Sequence, residues 1–481
     1  MGRTFEVTLA ALRIAQARLF NKYTWHQEIV NQCESLGGVY IKFIQMLAVH
    51  ESTKHWVKDV STDLAYEQVP YEPIDVAGEL GQDAQFFTNI EPLPFAAGSY
   101  GQVYKANLLS GEQVIIKILR PSVRRTLRQD LRIINGIARI LSWWSKSAIV
   151  DIRAITQEFS QATFSETNYI REAQSGEWLR EYFTKRNGLF IPRSYVEYGS
   201  STVLVQQYVQ GISLASAMSQ QRAGAKIDEV VYGATGSNVW NQLTLLGNEF
   251  LEATLYADFQ MVDPHPGNIR FMSGDRVALI DFGMISKAPR NRAAFVNMIG
   301  EYVKVYENRF EPGPFAIAML AFFDMELHDA LQLVARQRSS DYMQSVESFI
   351  QEYVRSQAND SLTQHYVIER QMARLFNQVI NKGNKLGIRI SKENIMLQRS
   401  MNMFLSLMRQ IGEAHDGQVH FALLHRVTSE AYRNAIKNGF EQQSMPDMSE
   451  EHAYEVAANW LTIVAEKDRE LYGFIMKRRF A

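Results

Sequence analysis

Cysteine is almost absent from this sequence: Cys33 is the only one among 481 residues. A single cysteine excludes a disulfide bond within the chain, and it excludes a zinc site built on paired cysteines. Such scarcity suits a reducing compartment. The composition therefore predicts a cytoplasmic location.

Long hydrophobic runs are missing as well. The longest apolar run, residues 314–323, is about half of the roughly 20 residues that a membrane-spanning helix needs. Near the amino terminus, Arg13 and Arg18 interrupt the apolar residues and no small-residue cleavage site follows, which argues against a signal peptide. The sequence predicts no transmembrane helix, so any membrane contact is expected to be peripheral, at the inner face.

The sequence also lacks an excess of charge of one sign. Fifty basic and 52 acidic residues give a formal net charge of -2, so no global field attracts nucleic acid, and no nucleic-acid partner is expected. With 46% hydrophobic residues the composition is that of a globular protein, and 481 residues exceed one ordinary core. Two or three packed units are expected.

Apolar periodicity gives the first outline of the fold. Helical spacing prevails up to about residue 58 and returns from about 123 to 183. Between these segments, β-type runs at 102–108 and 113–119 flank the turn Ser110-Gly111 and predict a hairpin.

Two further strand-like runs are predicted at 194–198 and 202–208, and beyond Gly211 the pattern is helical except for an island at 260–283. The predicted class is α+β. The predicted domains are a helical extension (1–80), a lobe with strands and inserted helices (81–210), a second lobe (211–300) and a helical continuation of it (301–481).

The stretch FAAGSYGQVYKA, residues 95–106, places Gly98 and Gly101 three residues apart. A glycine-rich strand-turn-strand of this kind covers the phosphates of ATP in protein kinases. Glycine suits any tight turn, however, so the stretch alone is equally compatible with an ordinary hairpin bend.

Lys117 follows on the second strand of this hairpin, within VIIKIL. Its distance from Gly101 fits the kinase lysine that contacts the α and β phosphates. A lysine with apolar neighbours is costly to bury without an anionic partner. Glu166 and Glu172, in FSETNYIREA, are the candidate partners, and their spacing of six residues predicts that each has its own.

The island reads MVDPHPGNIRFMSGDRVALIDFGM. Asp263 and Asn268 have the spacing of the kinase catalytic loop, in which Asp orients the attacking hydroxyl and Asn holds a metal ion. The triplet that begins at Asp281 matches the metal-binding DFG sequence. His265 has no second His or Cys nearby and is interpreted as a structural residue.

DPHPGN followed by DFG, together with an alanine-rich loop ending in GQVY, resembles the atypical kinase family of UbiB, AarF and their mitochondrial relatives, which is associated with coenzyme Q biosynthesis. The resemblance implies a two-lobed, protein-kinase-like fold with a helical extension whose K-x-G-Q motif packs across the nucleotide site. Here Lys42 and Gln45 match that motif and Ile44 does not.

The resemblance also assigns partners and roles. It pairs Lys42 with Glu166 of an E-x-D motif and Lys117 with Glu172, although Asn168 replaces the acidic third residue. Met261-Val262 also replaces the usual His-Ala before Asp263. Asp263 and Lys117 would be catalytic, and Asn268 and Asp281 would hold Mg²⁺ or Mn²⁺. The candidate ATP-binding residues are Ala97, Gly98, Ser99, Gly101, Val103, Lys117, Glu172, Gln207, Lys42, Gln45 and Glu166.

In that family the extension blocks the groove for a protein substrate, so the resemblance implies ATP hydrolysis or phosphorylation of a small, lipid-like acceptor in isoprenoid-quinone or other lipid metabolism. Basic ends, with Arg13, Arg18 and Lys22 at one terminus and residues 477–479 at the other, would serve a peripheral membrane contact. Two alternatives remain. One is a nucleotide-gated, pseudokinase-like scaffold. The other is an aminoglycoside- or choline-type phosphotransferase, which the alanine-rich loop and Lys42 disfavour.

Overall fold

The computed structural model describes most of the chain. The described residues are 2–20, 25–37, 39–43, 71–144, 152–186, 188–257, 259–261, 264–282, 285–289, 291–307, 309, 312–337, 387–413, 419–439, 448–467 and 469.

The chain divides into two compact units. The first holds Met1–Gln210 and also Leu279–Met284, and the second holds Gly211–Ala278 and Ile285–Ala481. The segment around Asp281 thus groups with the first unit, although the sequence places it among the residues of the second lobe. The domain bounds predicted from the sequence remain a proposal.

An antiparallel sheet forms the centre of the first unit. Its order is β1-β3-β4-β5, and β2 pairs with β3 on the side of the glycine stretch. The predicted hairpin is confirmed, since β3 and β4 pair from Gly101 opposite Leu119 to Asn107 opposite Gln113. The strands are β1 (Phe87–Thr88), β2 (Ala96–Ala97), β3 (Gly101–Leu108), β4 (Gln113–Leu119) and β5 (Val203–Gln207).

Alternation along β4 explains where Lys117 points. Val114, Ile116 and Ile118 are fully buried on one face, in a hydrophobic cluster shared with β3 and β5. Because successive strand residues point to opposite faces, Lys117 lies on the other face. A second hydrophobic cluster, which includes Tyr100 and Tyr169, covers that face with helices.

The predicted helical segments of the first unit are confirmed over the described residues, which leave out 44–58 and 145–151. Residues 39–43 are helical, and the longer helices are α1 (Arg3–Phe20), α2 (Trp25–Leu36), α3 (Val76–Leu80), α4 (Pro121–Trp144), α5 (Ile152–Glu166) and α6 (Tyr169–Arg186). Val7, Val39 and Tyr40 from the amino-terminal helices are buried in the second cluster. The described helices of the amino-terminal extension therefore contribute to the core of the first unit.

The strand predicted at 194–198 is wrong. Ser194 makes an isolated bridge to Gln206, and Val196–Tyr198 is a 3-10 turn. The turn places the Tyr198 ring 5.3 Å from Phe86 and 5.5 Å from Phe87. The tyrosines of this strand-like run thus serve aromatic packing.

The second unit is mainly helical, as predicted. Its short strands form the sheet β6-β8-β9 and the antiparallel pair β7 and β10. The strands are β6 (Ile212–Ser213), β7 (Phe259–Met261), β8 (Ile269–Phe271), β9 (Val277–Leu279) and β10 (Ile285–Lys287). The helices are α7 (Leu214–Arg222), α8 (Ile227–Thr235), α9 (Val239–Tyr256), α10 (Arg292–Tyr306), α11 (Pro312–Phe323), α12 (Met325–Gln337), α13 (Lys392–Glu413), α14 (Val419–Lys437) and α15 (Glu450–Lys467).

Two contacts show how these helices pack. The rings of Phe250 on α9 and Phe404 on α13 stack with centroids 5.1 Å apart. Helices α12 and α15 share a cluster that includes Leu331 and Trp460. In the part of the chain that is described, no helix has both the length and the apolar character to cross a membrane.

Candidate nucleotide and metal site

The glycine stretch forms a tight hairpin between β2 and β3. The Gly98 amide donates to the Gly101 carbonyl oxygen at 2.8 Å, which closes the turn. Arg120 holds the turn with two hydrogen bonds. Its backbone amide donates to the Tyr100 carbonyl oxygen at 2.9 Å, and its Nε donates to the Gly98 carbonyl oxygen at 3.0 Å. Ala97 and Gly98 are exposed, and Ser99 and Val103 are half-buried, so the hairpin presents backbone to an approaching ligand.

The two glycines of this hairpin differ in what they allow. A Cβ atom at Gly98 would have the Gly101 carbonyl oxygen as its nearest neighbour, at 3.8 Å, whereas a Cβ atom at Gly101 would collide with the Tyr169 hydroxyl. Gly101 is thus required by packing within the protein. This requirement was not predicted from the sequence, which gave both glycines the same role.

Lys117 lies between two carboxylates. Its Nζ is 2.8 Å and 3.0 Å from the two oxygens of Glu172 and 3.2 Å from Oδ2 of Asp281. An ammonium group has three donors, and three carboxylate oxygens lie within hydrogen-bonding distance of it here. The predicted pair of Lys117 and Glu172 is therefore present, and Asp281, 164 positions further along the chain, joins it.

The electrostatics of this group follow from burial and charge. Burial, together with the charge of Asp281, raises the pKa of Glu172 to about 7. Burial lowers the pKa of Lys117, but Asp281 and Glu172 outweigh this effect and hold that pKa well above its ordinary value. Lys117 therefore remains charged at neutral pH.

When Glu172 is ionised, the group has two negative charges and one positive charge, and Asp281 retains a side-chain exposure of 36%. A carboxylate of this kind is a suitable ligand for a hard cation such as Mg²⁺. No cluster of three His, Cys, Asp or Glu side chains among the described residues would hold a metal alone. Mg²⁺ is usually bound by one or two carboxylates together with phosphate oxygens, and Asp281 is one carboxylate of this kind.

Lys42 and Glu166 form the other predicted pair, with Lys42 Nζ 3.2 Å from Glu166 Oε2. Glu166 is the last residue of α5, and Glu172 lies on α6. Because they are on separate helices, the two glutamates have separate partners. Gln45, the second residue predicted from the extension, lies outside the described residues.

Asn168 has a clear structural role between α5 and α6. Its Oδ1 accepts from the Arg171 amide at 3.3 Å and its carbonyl oxygen accepts from the Glu172 amide at 3.1 Å. An asparagine is a favourable amino-terminal cap. The departure from an acidic residue at this position therefore preserves the start of α6.

Asn268 belongs to the second unit, in a 3-10 turn over Pro266–Asn268. His265 caps this turn, because its Nδ1 accepts from the Gly267 amide at 2.9 Å. That contact supports the interpretation of His265 as structural. Asp263 and the glycine of the DFG triplet lie outside the described residues, so the catalytic role of Asp263 stays a prediction.

Comparison with known proteins identifies the family. The family model of the ABC1 atypical kinase-like domain matches residues 74–311. This part of the chain belongs to the family of ABC1 atypical kinase-like domains. The ABC1 domain thus includes the glycine hairpin, Lys117, Glu172 and Asp281, and the α+β kinase-like fold expected from the resemblance is confirmed.

Relatives of the ABC1 domain occur in photosynthetic organisms. An uncharacterised protein of Synechocystis sp. is 32% identical over 305 residues, which is 60% of this chain and 42% of that protein. The Arabidopsis thaliana protein ACTIVITY OF BC1 COMPLEX KINASE 3, chloroplastic, is 30% identical over 226 residues, 47% of this chain and 30% of that protein. The aligned part thus spans less than half of either relative.

Among solved structures, the Rv3197–erythromycin complex from Mycobacterium tuberculosis superposes with a TM-score of 0.49 at 18% identity, over 92% of this chain and 100% of that one.

Gln102, next to Gly101 in the ABC1 domain, is a positioning residue that was not predicted from the sequence. It is fully buried, and its Nε2 donates to the Glu72 carbonyl oxygen at 2.8 Å and to the Tyr104 hydroxyl at 2.7 Å. The Glu72 carboxylate accepts from Ser122 Oγ at 2.7 Å. The segment before the domain thereby ties β3 to the start of α4.

Gln207, at the end of β5, was predicted to contact the nucleotide. Its side-chain oxygen accepts from the backbone amide of Arg193 at 3.4 Å, and its backbone amide donates to the Arg193 carbonyl oxygen at 2.8 Å. The residue therefore holds the end of β5 in place, and its contact with nucleotide stays a prediction.

Proposed function

We propose that this protein binds Mg-ATP and hydrolyses it or transfers its γ-phosphate to a small acceptor, as an atypical kinase or ATPase. The observation that supports the proposal is the placement of Lys117 between Glu172 and Asp281, on the strand paired with the exposed glycine hairpin. Phosphoryl transfer needs mainly positioning and neutralisation of charge. Lys117, Glu172 and Asp281 together would supply both.

Each residue has a defined role in this proposal. Asp281 and Asn268 would hold Mg²⁺, which would neutralise charge on the phosphates. Lys117 would contact the α and β phosphates, with Glu172 keeping its ammonium group in place, and the hairpin residues Ala97–Ser99 would cover the phosphates. Asp263 would orient the attacking hydroxyl or water.

The proposed acceptor is small and lipid-like, and the wider role is in isoprenoid-quinone or other lipid metabolism. Two observations support this part. The family resemblance links the fold to coenzyme Q biosynthesis, and the name of the Arabidopsis relative refers to the activity of the BC1 complex. A peripheral membrane contact is proposed with it.

The test is ATP turnover and ATP binding by the wild-type protein and by Asp281→Asn. We expect Asp281→Asn to lower kcat/KM by about 100-fold or more, because the carboxylate that would hold the charge-neutralising Mg²⁺ is lost. Equal turnover by both proteins would refute the proposal. ATP binding without turnover in the wild type would favour the nucleotide-gated scaffold, and turnover stimulated by anionic vesicles or isoprenoid-like phenols would identify the acceptor class.

A further inference from the structure

A glycine in the middle of α6 lies directly against the phenylalanine of the DFG triplet. A Cβ atom at Gly176 would be 2.7 Å from Cδ2 and 3.0 Å from Cε2 of Phe282, and 3.1 Å from Ser194 Oγ. Both Gly176 and Phe282 are buried. An ordinary side chain at position 176 would therefore displace the aromatic ring.

The backbone does not require glycine at this position. Gly176 is inside a helix and is not among the glycines with positive φ. Glycine in a helix interior is less favourable than alanine by about 1 kcal/mol. What Gly176 provides is space for the ring of Phe282.

One face of α6 contacts the main parts of the candidate site in order. Tyr169, Glu172 and Gly176 have the spacing of residues on a single helix face. Tyr169 packs against Gly101 of the hairpin, Glu172 binds Lys117, and Gly176 receives Phe282. Phe282 follows Asp281 directly, so a shift of its ring would act on the backbone that carries the Asp281 carboxylate.

We propose that Gly176 is a positioning residue: its lack of a side chain lets Phe282 pack against α6, and this packing holds Asp281 beside Lys117. The packing of Phe282 against Gly176 does not depend on the proposed function, whereas its effect on metal binding rests on that function. The consequence is that even a single methyl group at position 176 should move Asp281 away from Lys117.

The test compares Gly176→Ala, Phe282→Leu and the double variant with the wild type. Gly136→Ala is the matched control, because Gly136 is also inside a helix and a Cβ atom there would have no neighbour within 4 Å. Three quantities are measured: the thermal unfolding midpoint, the rate at which an amine-reactive ester modifies Lys117, and the Mg²⁺ concentration for half-maximal ATP binding.

We expect Gly136→Ala to raise the unfolding midpoint and leave the other two quantities unchanged. We expect Gly176→Ala to lower the midpoint, to speed the modification of Lys117 as Asp281→Asn does, and to raise the required Mg²⁺ about tenfold, the scale seen when a group that orients a metal ligand is lost. ATP binding in EDTA should remain as in the wild type. In the double variant, Phe282→Leu should partly reverse each of these three changes, because the smaller side chain makes room for the methyl group at position 176.

The outcomes separate this inference from the proposed function. If the wild type shows no Mg²⁺-dependent ATP binding, the proposed function fails, and the modification of Lys117 still decides whether Gly176 positions Asp281. If Gly176→Ala behaves like Gly136→Ala, the inference is wrong. It is also wrong if Gly176→Ala lowers the midpoint without changing the reactivity of Lys117, because Gly176 would then serve packing only.

Discussion

Glu172 is a carboxyl group held almost completely out of water, with a side-chain exposure of 1%. Burial and Asp281 raise its pKa to about 7, from 4.5 for an unperturbed glutamate. Between these two values the folded protein binds more protons than the unfolded chain, so this group's contribution to stability is lost as the pH rises through about 7. The loss approaches about 1.4 kcal/mol per pH unit.

We therefore expect Glu172→Gln to flatten the decline in the free energy of unfolding between pH 5 and about 7.5, measured by urea denaturation. The variant is less stable overall because Lys117 loses its partner, so the slope is the informative quantity. Glu181→Gln, on the exposed side of the same helix, is the control. Identical slopes for the wild type and Glu172→Gln would contradict the raised pKa.

Gly98 and Gly101 yield a second prediction at the residue scale. Gly98→Ala should leave the unfolding midpoint nearly unchanged, because its nearest neighbour is 3.8 Å away, and it should change the relative affinities for ATP and ADP. Gly101→Ala should destabilise the protein by about 1–3 kcal/mol through overpacking against the Tyr169 hydroxyl.

Tyr169→Phe supplies the rescue, because it removes the hydroxyl that collides with the new methyl group. The Gly101→Ala/Tyr169→Phe double variant should therefore be more stable than Gly101→Ala alone, as a double-mutant cycle would measure. Additive effects would show that Tyr169 is not the obstacle. Unchanged affinities for both nucleotides in Gly98→Ala would show that position 98 matters only for the turn.

At the scale of elements, Arg3 ties α1 to α4 and to the end of α2. Its Nε and Nη2 donate to the two oxygens of Asp130 at 2.7 Å and 3.0 Å, and Nη2 also donates to the Leu36 carbonyl oxygen at 2.7 Å. Asp130 is fully buried. A buried carboxylate that loses its partner destabilises a protein strongly, by about 3–5 kcal/mol.

Arg3→Ala should therefore lower the free energy of unfolding by about 3–5 kcal/mol, measured by urea denaturation. Arg13→Ala, at an exposed position on the same helix, should change it by less than about 0.5 kcal/mol. Asp130→Asn in the Arg3→Ala background should recover part of the loss, because the buried charge is removed. Equal effects of Arg3→Ala and Arg13→Ala would mean that the extension is not anchored through Asp130.

The same elements indicate what the sequence predicts well. The strand position of Lys117 and its need for an anion predicted a glutamate partner, Glu166 or Glu172, because both follow from local pattern and charge. The family resemblance was needed to choose Glu172, the partner observed in the structure. The run at 194–198 was wrongly predicted as a strand, because its β-type residues form a turn in which Tyr198 packs against other aromatic rings. The fit of Gly176 to Phe282 was not predictable, because it depends on two segments distant in the chain being brought together.

At the scale of the whole molecule, charge is nearly balanced, with a net charge of -2, so attraction to anions depends on local surfaces. A groove of about 1050 Å³ lies between α4 and α5, and Arg128, Arg132 and Arg139 line it. The described lining residues include no acidic side chain. Of the basic ends predicted for membrane contact, Lys22 and residues 477–479 lie outside the described residues. The groove is a second basic surface that can be tested.

If the proposed peripheral contact uses this groove, the protein should bind vesicles of phosphatidylcholine with phosphatidylserine, and binding should weaken as salt is added. Each basic residue near an anionic surface contributes about 1 kcal/mol, so Arg128→Glu/Arg132→Glu should weaken binding about 30-fold or more. The control is Arg433→Glu/Lys437→Glu, which makes the same charge change at the same spacing on exposed positions of α14. Sedimentation with vesicles measures the binding of both double variants and of the wild type. An equal loss in the two double variants would mean that net charge alone governs binding, and no loss in either would exclude the groove as the contact surface.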